Sequence, residues 1–270
     1  LETDEAIEDP ELIIGGSSIE IAGGDRVWAG SYTVTDTDPE GIVPFSISLK
    51  DLAGNSYEGI TSTIDGSSMT IDRTAPSITG VGISSSNSYD SSLAKPDDDV
   101  TLTIISSEYL YEAPTVEIDG NTETVNPQTQ DTSYTSVRSM VAEDSQGEIS
   151  FVIGSIMDRA GNTIGDMVST SDESRVIFDS VLPTVTDLSI SSNNNFDNDN
   201  STSLARAGDE ITIEFFTSED IQEPVSTISQ GAATVSGSQT VWSSLITMDE
   251  TDPDGPVAFT VDYKDLAGNI

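Results

Sequence analysis

The chain has 270 residues, with 48 Asp and Glu against 9 Lys and Arg, a net charge of −39, and neither Cys nor His. So much negative charge repels nucleic-acid phosphates and anionic membrane surfaces, which argues against both as partners. Without Cys or His there can be no disulfides, no zinc- or haem-type ligand set, and no Cys–His or Ser–His–Asp catalysis.

The plentiful carboxylates are hard oxygen ligands of the kind that calcium and magnesium take. Alternatively, they only keep a long extracellular chain soluble. No apolar run approaches the roughly 20 residues of a membrane span, so this segment is not expected to insert directly into a membrane. The acidic start "LETDEAIEDP" lacks the basic region of a signal peptide.

Taken in chain order, the landmarks begin with "TDEAIEDP", then Trp28, then the acidic turn "DTDPEG" at 36–41. In "PFSISLKD", Phe45, Ile47 and Leu49 alternate with Ser46, Ser48 and Lys50, which predicts a half-buried strand. It ends in Asp51-Leu52-Ala53-Gly54-Asn55. "DRTAP" follows, with Asp72 and Pro76, and then candidate strands "SITGVGI", "VTLTII", "TVEID" and "YTSVRSM". Next come the turn "EDSQG", the strand "ISFVIGSIMD", Asp158-Arg159-Ala160-Gly161-Asn162 and the candidate strand "RVIFD". The last stretch carries "ITIEFF", "TSEDIQEP", Trp242, "ETDPDG", the alternating "AFTVDYKD" and Asp265-Leu266-Ala267-Gly268-Asn269.

The three Asp-x-Ala-Gly-Asn motifs start at 51, 158 and 265, so both intervals are 107 residues. Asp72 with Asp179, Pro76 with Pro183, and Asn87 with Asn194 obey the same spacing. Across two periods Glu5 matches Glu219, Pro10 matches Pro224 and Trp28 matches Trp242, while Glu108, Pro114 and Tyr134 hold the middle places. A fixed period of this length predicts tandem copies of one domain. Residues 1–75 then lack the start of a unit, 76–182 make a complete one, and 183–270 lack the end. The chain reads as a window on a longer repetitive protein. Six or seven short strands per unit, with turn signals between them and no helical period, predict antiparallel β-sandwiches.

Within a unit, Asp caps backbone N–H groups of a hairpin turn and Gly supplies positive φ. That assigns turn roles to Asp51, Gly54 and Asn55, to Asp158, Gly161 and Asn162, and to Asp265, Gly268 and Asn269. Trp28, Tyr134 and Trp242 occupy one equivalent position, where a large aromatic plugs the space between two sheets; a carbohydrate-stacking platform is the rival. The middle unit has one extra residue between Gly147 and Asp158, which predicts a β-bulge near Gly154.

With "DLAGN", "DRAGN" and "DLAGN" after alternating strands, "TSED" after "ITIEFF", the fixed aromatic and the "DRTAP" linker, the chain resembles bacterial-type immunoglobulin-like repeats. Such repeats occur in tandem in surface adhesins, appendages and other large extracellular proteins. The resemblance implies an all-β elongated array of immunoglobulin-like sandwiches outside the cell. It also implies which loops meet at each junction. At the first, Asp36, Asp38 and Glu40 would face Asp72, Glu108 and Asp158. At the second, Glu143 and Asp144 would face Asp179, Glu219, Asp220 and Asp265.

Two such charges about 4 Å apart at an effective dielectric near 20 repel by about 4 kcal/mol. Calcium, with six to eight oxygen ligands, would relieve this and stiffen the array. The alternative is that "DPEG" and "DPDG" are solvated type I turns. An EF-hand is not expected, because its twelfth position, normally a bidentate acid, would fall on Ile47 or Val261. Asn200 heads the sequon Asn200-Ser201-Thr202, a candidate for glycosylation.

The functional expectation is a structural segment of a filament, appendage or adhesin stalk, with copies of itself as partners. The competing reading is a ligand- or glycan-binding adhesin module. An enzyme is not expected, since no acid and nucleophile pair forms a recognisable site.

Overall fold

The computed structural model describes residues 1–127, 131–195 and 203–270. Among them there is no helix, and every regular element is a strand. Residues Leu1–Ala75 and Pro76–Ile270 form two compact units.

Unit 1 contains β1 (Glu11–Ile14), β2 (Ser17–Ile19), β3 (Ile21–Gly24), β4 (Val27–Gly30), β5 (Gly41–Ile42), β6 (Phe45–Lys50), β7 (Ser56–Ile60) and β8 (Thr70–Ile71). The alternating "FSISLK" forms β6, which lies inside a sheet of order β2-β1-β6-β7. Asp51 to Asn55 connects β6 to β7, with Lys50 opposite Ser56, so the motif closes a hairpin here. Trp28 on β4 is buried, and β4 pairs with β3.

Unit 2 begins with β9 (Ile78–Ser85), β10 (Leu93–Ala94), β11 (Asp99–Ser106), β12 (Thr115–Ile118), β13 (Asn121–Glu123) and β14 (Val125–Asn126). It continues with β15 (Ser133–Ser139), β16 (Gly147–Glu148), β17 (Phe151–Gly154) and β18 (Ile177–Phe178). Their sheets run β14-β15-β11-β9, β13-β12-β17 and β10-β18-β16, antiparallel except for the parallel β10–β18 pair. Alternation along β11 sends Val100, Leu102 and Ile104 inward, each completely buried beside Tyr134 and Ile153. Burying an aliphatic side chain of this size contributes about 1.5–3 kcal/mol relative to exposure, so this strand alone anchors much of the sandwich.

The remaining strands are β19 (Val185–Ser192), β20 (Glu210–Thr217), β21 (Val225–Ile228), β22 (Gly231–Ala232), β23 (Thr234–Ser238), β24 (Val241–Thr247) and β25 (Phe259–Asp262). They form the sheets β19-β20-β24-β23 and β22-β21-β25, repeating the order of β9-β11-β15-β14 and β13-β12-β17. Ile211, Ile213, Phe215, Ile228 and Trp242 make a separate core. Unit 2 therefore holds two cores, one on each side of residues 182 and 183, without dividing there into separate compact units.

The two cores differ at one edge. Residues 170–174 seal β9: Ser171 and Ser174 hydroxyls accept the N–H groups of Val81 and Ile83 at 2.9 and 2.8 Å. Val81 and Ile83 are 2% and 5% exposed, whereas their counterparts on β19, Leu188 and Ile190, are 47% and 45% exposed. Among the described residues no loop bonds to that side of β19. The extra residue expected as a bulge near Gly154 lies just beyond β17. The β12–β17 ladder keeps its register through Gly154, and Ser155 absorbs the additional backbone at φ 56.

Candidate metal centre and the turn beside it

All three Asp-x-Ala-Gly-Asn motifs fold alike, because one carboxylate satisfies the turn's donors. Asp51 Oδ1 accepts the N–H groups of Ala53 and Asn55, both at 2.8 Å, while Oδ2 accepts Asn55 Nδ2 at 2.6 Å. Asp158 takes the N–H and Nδ2 of Asn162, both at 2.8 Å. Asp265 takes the N–H groups of Gly268 and Asn269 at 2.6 and 2.8 Å, and Asn269 Nδ2 at 2.7 Å. Gly54, Gly161 and Gly268 have φ of 93, 95 and 92°, a region that side chains disfavour.

The Asn55 side-chain amide, then its N–H, holds Asp51 below the ordinary carboxylate range. Burial pushes the Asp158 carboxyl up, but the Asn162 amide and neighbouring N–H groups outweigh it and leave it lowered. These bonds satisfy oxygen lone pairs without cancelling the charge, which stays at the turn.

The third motif has a second role. Ala53, Gly54 and Asn55 are exposed in unit 1, whereas Ala267, Gly268 and Asn269 are buried. What covers them is the loop after β9. Asn87 Nδ2 donates to the Ala267 carbonyl at 2.8 Å and to Asp98 Oδ2 at 2.7 Å. Lys264 Nζ sits 4.2 Å from the centroid of the Tyr89 ring and donates to its hydroxyl at 2.7 Å. A Cβ at Gly268 would stand 2.6 Å from Tyr89 Cε2, so glycine serves close approach as well as φ. Asn269 Nδ2 also donates to the Asp179 carbonyl at 3.0 Å, which ties the turn to the connection between β18 and β19.

Beside this contact the carboxylates of Asp179, Glu219 and Asp265 converge, with ligand oxygens within 4.8 Å of one another. None of the ion pairs among the described residues involves them. Burial, then the charges of Asp179 and Asp265, push the Glu219 carboxyl above its ordinary value. The donor set fits a hard divalent cation: with calcium–oxygen distances of about 2.3–2.6 Å, ligands on opposite sides of one ion lie about 5 Å apart. Three carboxylates fill about half of a calcium shell; carbonyls and water would supply the rest.

The other expected ligands are placed as follows. Glu108 and Asp158 lie within the same distance of each other in unit 2, as Glu219 and Asp265 do. Asp72 follows β8 in unit 1 and accepts the N–H of Thr74 at 3.1 Å. None of Asp36, Asp38, Glu143, Asp144 and Asp220 joins a three-carboxylate group among the described residues. Asp38 instead caps its own turn, taking the N–H of Thr35 at 2.6 Å and the hydroxyl of Tyr32 at 2.5 Å. The Thr35 N–H, then Tyr32, lower its carboxyl. Asp144 does the same through the N–H of Val141 at 2.8 Å and pairs with Arg138. Asn200 lies outside the described residues.

The equivalent aromatics are core side chains. Tyr134 is completely buried with its hydroxyl donating to the Asp131 carbonyl at 2.5 Å, and Trp242 Nε1 donates to the Gln239 carbonyl at 2.8 Å.

Sequence reasoning did not assign Asn87, Tyr89 and Lys264 to the junction. Two signals were present: Asn87 and Asn194 share the 107-residue register, and a lysine precedes the motif at both 50 and 264. No protein-family model matches the chain, and no curated protein matches it.

Proposed function

We propose that the chain is a structural segment of a long extracellular surface protein, a filament, appendage or adhesin stalk, built from immunoglobulin-like sandwiches joined end to end. Its partners on this reading are further copies of the same sandwich, and its work is to set length and resist bending. One observation carries the proposal: the Lys264–Asn269 turn, with Asp265, Ala267, Gly268 and Asn269 buried, is gripped by Asn87 and Tyr89 at the meeting of the two cores of unit 2. Sandwiches joined only by a linker meet at small interfaces and move independently. Specific hydrogen bonds and a ring contact between neighbours restrict that motion. The reading assigns the chain no catalytic role.

Calcium held by Asp179, Glu219 and Asp265 would stiffen the same junction. Extracellular calcium modules of modest ligand charge bind at about 10⁻⁴–10⁻³ M, a range suited to a cell surface. Binding to the folded state alone at ten times the dissociation constant would add about 1.4 kcal/mol.

Glu219→Gln is the discriminating variant, because its side chain takes no part in the turn. Melting is followed by Trp242 fluorescence in a Trp28→Phe chain. In EDTA the variant should melt at or above the parent temperature, since a repelled carboxylate is gone. In millimolar calcium it should melt below the parent. Equal melting temperatures in both conditions would remove calcium from the account.

A further inference from the structure

The outer face of β9 carries a trough. Val81, Ile83 and Ser85 point into the core, so Gly80 and Gly82 face outward and give the strand no side chain there. Glycine weakens a strand interior, and where it stands it often marks the close approach of a ligand or another backbone. The fold itself does not call for glycine at these places. One period on, Asp187 and Ser189 hold them on β19, opposite Phe216 and Glu214 as Gly80 and Gly82 are opposite Ile105 and Thr103.

The trough has a volume of about 350 Å³, with Thr103 and Ile105 on one side and Ser171 and Asp172 on the other. Its Gly80 end is apolar, since a Cβ at Gly80 would stand 3.2 Å from Ile105 Cδ1. Its Gly82 end is charged, since a Cβ there would stand 2.8 Å from Asp172 Oδ2. The two ends are two residues apart along the strand, about 7 Å. Asp172 Oδ1 accepts the hydroxyl and the N–H of Ser174 at 2.6 and 3.0 Å, and these bonds hold the carboxyl below its ordinary range. Asp172 Oδ2 has no hydrogen bond or ion pair among the described residues. The carboxylate is therefore fixed through one oxygen and open through the other, on a segment that Ser171 and Ser174 pin to β9.

We propose that this trough binds the side chain of a lysine on a partner protein, with its ammonium on Asp172 Oδ2 and its methylenes along Gly82, Gly80 and Ile105. Lysine carries a compact ammonium on a flexible four-carbon stem, which matches a carboxylate at one end and an apolar wall at the other. A free diamine would press its second ammonium against Ile105 and lose hydration there. A sugar would find no aromatic ring among the lining residues to stack on. The charge of −39 draws cationic partners toward the chain. None of the trough's residues belongs to the Asn87–Ala267 contact, so the segment can hold a partner without disturbing its junction.

The test follows the amide signals of Gly80 and Gly82 by nuclear magnetic resonance in the isotope-labelled whole chain, titrated with Nα-acetyl-lysine N-methylamide at low salt. Saturable shifts at both glycines are expected. Asp172→Asn keeps an acceptor for Ser174 and should weaken binding about fivefold, the upper end for one exposed ion pair. Gly82→Ala, whose methyl displaces the carboxylate, should weaken it at least as much. The norleucine analogue, which lacks the ammonium, and cadaverine, which has two, should both bind more weakly. Ser189, the equivalent of Gly82 on β19, should shift little. Equal shifts at Ser189 would reveal only a diffuse counterion atmosphere and would overturn the proposal. Indifference to Asp172→Asn, tighter binding of cadaverine, or the absence of saturable shifts would overturn it as well.

Discussion

Replacing Gly268 with Ala should cost clearly more than the same change at Gly54, although the two backbones are almost identical. Both residues have φ near 92°, so each substitution carries a left-handed strain of about 1–2 kcal/mol. At Gly54 the new methyl meets nothing within 4 Å, and strain is the whole cost. At Gly268 it would press within 2.6 Å of Tyr89, whose half-exposed ring must swing away. Moving the ring forfeits the Lys264 cation–π contact, about 0.5–1 kcal/mol at such a site, and the hydrogen bond to the Tyr89 hydroxyl, about 0.5–1.5 kcal/mol.

The expected penalties are therefore about 1–2 kcal/mol for Gly54→Ala and about 2–4.5 kcal/mol for Gly268→Ala. Urea unfolding measures them, with Trp242 as sole reporter for the second and Trp28 for the first. Adding Tyr89→Ala should reduce the Gly268→Ala penalty to that of Gly54→Ala. Equal penalties for the two glycines, or a Gly268→Ala penalty unaffected by Tyr89→Ala, would refute the junction contact.

Asp51→Ala removes the acceptor of three bonds from an exposed turn and should destabilise unit 1 by about 1 kcal/mol, on the scale of a lost helix cap, as read by Trp28 fluorescence. Tyr134→Phe leaves the core volume intact and should cost about 0.5–1.5 kcal/mol for the lost bond to the Asp131 carbonyl, by urea titration followed by circular dichroism. In EDTA, stability should first rise as the pH falls, because Glu219 has a raised folded-state value. Its penalty is complete above that value and is relieved as pH falls through it. At lower pH the sign reverses. Asp51 and Asp158 are held below their unfolded values, so their contribution is present above the unfolded value and is lost as pH falls through the folded one. Calorimetric melting between pH 3 and 7 checks both limbs, and a monotonic fall would contradict the first.

What the sequence made legible were features fixed by local chemistry. Alternation marked β6 and β25, and Asp-x-Ala-Gly-Asn announced its own turn because Asp, Gly and Asn satisfy one another within five residues. The buried aromatic at 28, 134 and 242 was legible for a similar reason: its place in the register left a core role as the simplest account. Features that depend on distant partners were not legible. Asn87 and Ala267 are 180 residues apart, and nothing local to either predicts their hydrogen bond. The acids of "DTDPEG" could be read as cation ligands or as turn residues, because composition shows charge but not its use; the structure shows Asp38 capping its own turn. The carboxyls of Asp179, Glu219 and Asp265 do converge, since two of them follow strand ends that the fold brings together with the third.

The most direct test of the end-to-end account is small-angle X-ray scattering of the whole chain in EDTA and in millimolar calcium, repeated with Glu219→Gln. The account predicts a longer, less variable particle with calcium in the parent chain, and little response in the variant. Superimposable curves for the parent in the two conditions would contradict a calcium-stiffened junction.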